Sequence, residues 1–195
     1  PRPLKILFMI SIGEPTKSLT RSDLKSEFRN LKLKIIRGDY DFKFSESKTN
    51  MLGNELEFIS NKLNPSDVIT GSIALKLYGL LDRNYSDIDI IIDDKSRYDS
   101  YSKNVRYGAF DDVDLDCRLG HKSLSYKKGF FSRKKKYAVD FFENTGVSYN
   151  ELEYNGKKFR VHSPMELINT KIGLCEDQKH FEDMVFIFKS IELFD

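Results

Sequence analysis

Residues 68–92, VITGSIALKLYGLLDRNYSDIDIII, constrain the fold more than any other stretch of this chain. They read as a short strand, a Gly71-Ser72 turn, an amphipathic helix, a turn over 82–86 and a second strand. The second strand carries Asp87 and Asp89 inside an apolar run. A strand alternates faces and rises ~3.3 Å per residue, so the two carboxylates share a face about 7 Å apart. Like charges so placed repel, and they need a metal, an arginine or water beside them. A divalent metal is the usual answer; a solvated strand end is the plainer one. The Gly-Ser turn has its own chemistry. Glycine admits close approach, and a helix start with the Ser72 hydroxyl can receive phosphate oxygens. Many strand-to-helix turns carry Gly-Ser, so the turn alone is weak evidence.

The 195 residues suit one domain with an appended element and a real core. A net charge of +2 is too near neutral for bulk binding to nucleic acid or an anionic membrane. Cys117 and Cys175 have no metal spacing and form no disulfide scaffold, so a reducing cytoplasm is expected. The longest apolar run, Ile6 to Ile12, is too short to span a bilayer. It follows Arg2 and Lys5 without a cleavage pattern, and reads as a buried strand rather than a leader.

Residues 1–50 are expected to form a strand-helix-strand extension of unknown role. Its parts are a strand over 4–12, a helix opened by Thr20 and Asp23 with Leu24, Phe28 and Leu31 inside, and a strand over 32–37. Residues 38–50 read as loop. The extension reads first as packing, with a lid or a protein-binding arm as alternatives. Leu52, Leu56, Ile59 and Leu63 predict a helix over 51–63, ended by Asn64-Pro65. Tyr98 and Tyr101 fall in a short helix, and VDLDCRL (113–119) and YAVDFF (137–142) read as strands. Asn155-Gly156 signals a hairpin. Ser163-Pro164-Met165-Glu166 reads as a capping box before a helix with Leu167, Ile168, Ile172 and Cys175 inside. A last helix after Asp177 turns Phe181, Met184, Val185, Phe188 and Ile191 inward.

Between Arg118 and Lys136 stand eight Lys/Arg and no acid, interleaved with Tyr126, Phe130 and Phe131. Aromatics among cations suit a single-stranded nucleic acid; a solvated loop is the bland alternative. His121 and His162 have no ligand spacing, and His162 reads as structural.

In order, GSIALKLYGL, RNYSDIDI, VDFF, VHSPMELINTK and KHFEDM resemble the nucleotidyltransferase superfamily related to DNA polymerase beta. Within it the chain looks most like the minimal nucleotidyltransferases and the abortive-infection (AbiEii-like) toxin nucleotidyltransferases of toxin–antitoxin pairs. The resemblance spans about residues 51–190. It implies an α+β nucleotidyltransferase fold, a central mixed sheet flanked by helices, with 51–195 as the nucleotidyltransferase-like domain ending in a helical part. It implies that Gly71 and Ser72 hold the triphosphate of a nucleotide such as ATP, and that Asp87 and Asp89 bind two Mg²⁺ ions. Asp140, in Ala-Val-Asp-Phe-Phe, suits the third carboxylate; Asp116 and Asp114 are its rivals, because VDLD also alternates. Lys171 matches a lysine that faces the family's active site, with a surface lysine as the equal alternative. Lys179, His180 and Asp183 match a basic-x-x-x-Asp stretch, although Lys179 and Asp183 also suit an ordinary helical ion pair. Lys76 could reach the terminal phosphates but reads more readily as exposed.

The implied activity is Mg²⁺-dependent transfer of a nucleoside monophosphate from an NTP to an acceptor hydroxyl, on RNA (tRNA) or protein, by two-metal chemistry. RNA would arrive along Arg118 to Lys136. The alternatives are a non-catalytic module that binds nucleotide or RNA, and a small-molecule (aminoglycoside-like) nucleotidyltransferase.

Overall fold

The computed structural model describes residues 20–85, 87–94, 96–98, 121–126, 137–144 and 146–191. The expected strand over 4–12, the VDLDCRL segment, Tyr101 and residues 127–136 lie outside them; residues 96–98, which include Tyr98, are helical.

Helix α1, Arg21–Arg37, opens with the expected box: Asp23 N–H donates to Thr20 Oγ1 at 3.2 Å and Thr20 N–H donates to Asp23 Oδ2 at 2.8 Å. It buries Leu24, Phe28 and Leu31. The strand expected over 32–37 is instead the end of this helix. The alternation Leu31, Leu33, Ile35 imitates a strand, yet Leu33 is exposed and the helix runs on until Gly38 caps it at φ 77°. Extending a helix already formed adds one bond per residue, which favours continuation up to a left-handed glycine stop.

The loop expected over 38–50 holds a short helix, α2 (Glu46–Met51), because Ser45 Oγ accepts from Lys48 N–H and caps it. Ahead of α2 the chain lies along the next unit. Phe44 stacks on Tyr78 at 4.5 Å, and Ser45 N–H donates to Leu77 O at 2.8 Å. Helix α3, Gly53–Lys62, follows after a break at Leu52 and buries Leu56 and Ile59.

Strand β1 (Val68–Thr70), helix α4 (Gly71–Leu77) and strand β2 (Asp87–Ile92) match the pattern of the 68–92 stretch. Then come β3 (His121–Tyr126), β4 (Tyr137–Glu143), β5 (Tyr149–Tyr154) and β6 (Lys157–His162). The six strands form one mixed sheet in the order β3-β4-β2-β1-β6-β5. Strands β2 and β4 run parallel, as do β1 and β6; the other neighbours are antiparallel. Strand β3 begins inside the basic segment and was not expected. Asn155 (φ 51°) and Gly156 (φ 70°) supply the two positive φ angles of a tight hairpin between β5 and β6.

Helix α5, Pro164–Gly173, and helix α6, Gln178–Ser190, close the chain. The capping box expected at Ser163 is absent: Ser163 makes no side-chain cap bond, and Glu166 turns away to Ser148 and His162. Met184, Ile187 and Phe188 of α6 pack with Ile73, Leu77, Ile88, Ile90 and Phe141 in one apolar core. The architecture is therefore a mixed sheet flanked by helices, as an α+β chain requires. Among the described residues no helix is long and apolar enough to cross a membrane.

Candidate functional site

The strand register brings the acids together. Asp89 pairs with Thr70 on one side and with Asp140 on the other, while Asp87 pairs with Ala138. Paired residues of neighbouring strands face the same way, and so do residues two apart on one strand. Asp87, Asp89 and Asp140 therefore stand on one face. Asp114 and Asp116 lie outside the described residues.

Electrostatics register this crowding. Asp89 is pushed up to about 7, first by burial and then by the negative charges of Asp87 and Asp140. The Ser72 backbone N–H and the charge of Lys171 pull it partly back. A buried carboxylic acid that titrates near neutrality, with two other carboxylates adding to the shift, is a site where a cation gains much. Among the described residues no three His, Cys, Asp or Glu side chains stand close enough to hold an ion as they are. The donor set itself is all carboxylate oxygen, which suits magnesium or another hard divalent ion.

Gly71 is fixed by the same acid. Its φ is +61°, and an added Cβ would overlap Oδ2 of Asp89 and lie 2.6 Å from its Cγ. Only glycine meets both conditions. The close approach that the turn permits in this structure is thus to Asp89. Ser72 is buried, and its hydroxyl accepts from Arg83 Nη2 at 3.2 Å.

Within electrostatic reach of the acids lies a cationic cluster held by one buried carboxylate. Asp183 of α6 is 2% exposed. It accepts Arg83 Nε at 2.6 Å and Nη2 at 2.8 Å, and Lys171 Nζ of α5 at 2.7 Å. Burial raises the Asp183 carboxyl, and the bonds and charges of Arg83 and Lys171 more than reverse this, leaving it below the usual aspartate value. Lys171 Nζ also donates to His180 Nδ1 at 3.0 Å. Burial and the Lys171 charge together lower His180 and keep it neutral at physiological pH. Lys171 therefore faces inward. Among the described residues no ion pair joins Lys179 to Asp183, whose oxygens serve Arg83 and Lys171 instead.

Lys76, expected at the surface, is 5% exposed. It donates to the carbonyls of Asp82 (3.4 Å) and Arg83 (3.2 Å) and lies over the Tyr85 ring. Asp82 in turn pairs with Lys48 of α2. These bonds shape the turn that delivers Arg83 to Ser72 and Asp183. Sequence reasoning missed Arg83, although one signal existed: an arginine four residues before paired acids is a ready counter-charge.

No family model and no curated protein matches the sequence. Among solved structures, the crystal structure of JHP933 from Helicobacter pylori is similar, with 18% identity and a TM-score of 0.49, over 75% of this chain and 68% of that one.

Proposed function

We propose that the chain is a Mg²⁺-dependent nucleotidyltransferase with a nucleotidyltransferase fold, acting in the cytoplasm on an acceptor hydroxyl of RNA or protein. The observation that carries this reading is the common face of Asp87, Asp89 and Asp140 beside the Gly71-Ser72 turn. The net charge supports it. Arg83 and Lys171 against Asp183 leave one surplus positive charge, while three carboxylates face them. A triphosphate is repelled by such a site unless divalent cations enter with it.

Asp87, Asp89 and Asp140 would hold two magnesium ions, which when bound polarise phosphate oxygens and lower the pKa of the attacking hydroxyl. The chain's own groups do the rest. Ser72 binds a phosphate oxygen of the NTP through its hydroxyl. Arg83 and Lys171, anchored by Asp183, face the charge that develops on the leaving pyrophosphate. A carboxylate oxygen of Asp140 accepts the proton of the acceptor hydroxyl. The acceptor oxygen bonds to the α-phosphorus as the bond to the β-phosphate oxygen breaks. Pyrophosphate departs and the nucleoside monophosphate stays on the acceptor. Strand β3 carries the start of the basic segment to the sheet edge beside the Asp140 strand, a path suited to an RNA end.

Incubation with each labelled NTP, Mg²⁺, total RNA and cell protein tests the reading. Label is expected on one RNA or protein acceptor and is lost in Asp140→Asn. Nucleotide that binds without any transfer would point to a binding module instead, and label on a small molecule would move the acceptor class.

A further inference from the structure

Helix α1 carries no residue of the site described above, yet its outward side is strongly charged. It holds six Lys/Arg and two acids, a surplus of four in a chain whose net charge is +2. The charge is sorted by face. Arg21, Lys25, Arg29 and Lys32 are all exposed and follow at intervals of four, four and three, so they form one ridge beside the buried Leu24, Phe28 and Leu31. Asp23, Glu27 and Lys34 fall on the opposite flank. There Asp23 accepts from the Thr20 hydroxyl and Glu27 from the Asn30 amide. Among the described residues no ion pair reaches Lys25, Arg29 or Lys32. The Lys32 ammonium lies over the Phe28 ring, 4.5 Å from its centroid. Arg21 shares its charge with Glu176 at 3.9 Å, an exposed and therefore weak pair.

The spacing selects the partner. Four residues of helix advance ~6 Å, close to the step between successive phosphates of a nucleic-acid strand. The ridge is convex and about 16 Å long from Arg21 to Lys32. An anionic membrane would take up an apolar helix side, and that side of α1 is buried in the core. A protein partner would need an apolar centre, and the ridge offers Ile36 with Leu33 at its edge. The ridge also begins beside the candidate site. Arg21 Nη2 donates at 2.9 Å to the carbonyl of Glu176, in the link between α5 and α6. Those two helices supply Lys171 and Asp183.

We propose that Lys25, Arg29 and Lys32, with Arg21 at the start of the ridge, dock the phosphate backbone of an RNA strand without reading its bases. That the docked RNA is the acceptor rests on the function proposed above; its binding to the ridge does not.

The probe is a fluorescein-labelled RNA of mixed sequence, titrated by anisotropy over a series of salt concentrations without nucleotide or divalent metal. The test variant is Lys25→Gln/Arg29→Gln/Lys32→Gln. The control, Lys34→Gln/Lys62→Gln/Lys189→Gln, removes the same charge at exposed positions off the ridge. Each phosphate contact contributes about 0.7 to the slope of log K against log salt for a single strand. The ridge variant is therefore expected to lose about 2 from that slope and to bind at least about tenfold more weakly near 0.1 M salt. The control should keep the wild-type slope, and all three proteins should melt together, since every substituted side chain is exposed. Should the ridge variant fail to fold, Lys25→Gln and Arg29→Gln are measured singly, each with about 0.7 less slope expected. A ridge variant that binds like the control, or a wild type that binds no RNA, would overturn the inference. So would a ridge variant that keeps RNA and loses polyglutamate or phosphatidylserine vesicles, which would make this face a protein or membrane contact. Transfer from labelled Mg²⁺–NTP is measured on the same RNA. RNA bound through the ridge but left unlabelled defeats the acceptor reading alone. Labelled RNA whose binding ignores the ridge charges defeats the docking surface alone.

Discussion

Asp89→Asn is expected to cut nucleotidyl transfer by on the order of 10³-fold and, without divalent metal, to make the folded protein more stable at pH 8. The two effects have one cause. Asp89 titrates at about 7 in the folded chain because it is buried and faces Asp87 and Asp140. In the unfolded chain it titrates near the ordinary value of about 3.9. The folded state therefore holds the proton more tightly, and that advantage is complete below about pH 4 and lost as the pH rises through about 7. Above that pH the wild type carries the full cost of a crowded anion, at most about 4 kcal/mol for a shift of this size. Asparagine carries no charge and escapes it. Denaturant unfolding at pH 5 and pH 8 in EDTA should show the variant gaining on the wild type as the pH rises. Adding Mg²⁺ at pH 8 should stabilise the wild type and barely move the variant. Parallel pH profiles for the two proteins would remove the carboxylate crowding from the explanation.

Asp183→Ala carries the second large effect, with the opposite pH sign. It leaves Arg83 and Lys171 without their shared anion, and Lys171 is buried. Removing one member of a buried ionic group costs about 3–5 kcal/mol, since the remaining charge stays desolvated. The Asp183 carboxyl is held below its usual value in the folded state, so its contribution is present above about pH 3.9 and is lost as the pH falls through the lower folded value. The deficit of the variant should be large at pH 7 and shrink toward zero in acid. Transfer should fall with it at neutral pH, because both cations lose their orientation. A loss under about 1 kcal/mol at pH 7, typical of exposed pairs, would mean that the cluster is not a buried unit.

The local parts of this fold are legible in the sequence. Leu24, Phe28 and Leu31 mark α1, Asn155-Gly156 marks the hairpin, and the alternation around Asp87, Asp89 and Asp140 marks three acids on strands. Periodicity and turn chemistry are properties of a few adjacent residues. What escapes is set by competition and by distance. The 32–37 run has strand-like alternation, but the helix before it and Gly38 after it decide the outcome. Glu166 has the spacing of a capping box and is taken by His162 and Ser148 instead. Lys76 looks like a surface lysine until residues 82–85 fold back over it. The Arg83–Asp183 pair joins positions 100 residues apart, and no local pattern announces it.

The most direct measurement is a crystal structure of the protein with Mn²⁺ and a non-hydrolysable NTP. Anomalous density is predicted within ligand distance of Asp87, Asp89 and Asp140, with the triphosphate running past Ser72 toward Arg83 and Lys171. Metal and triphosphate bound elsewhere on the chain, with the three acids uncoordinated, would contradict a nucleotidyl-transfer centre at this face.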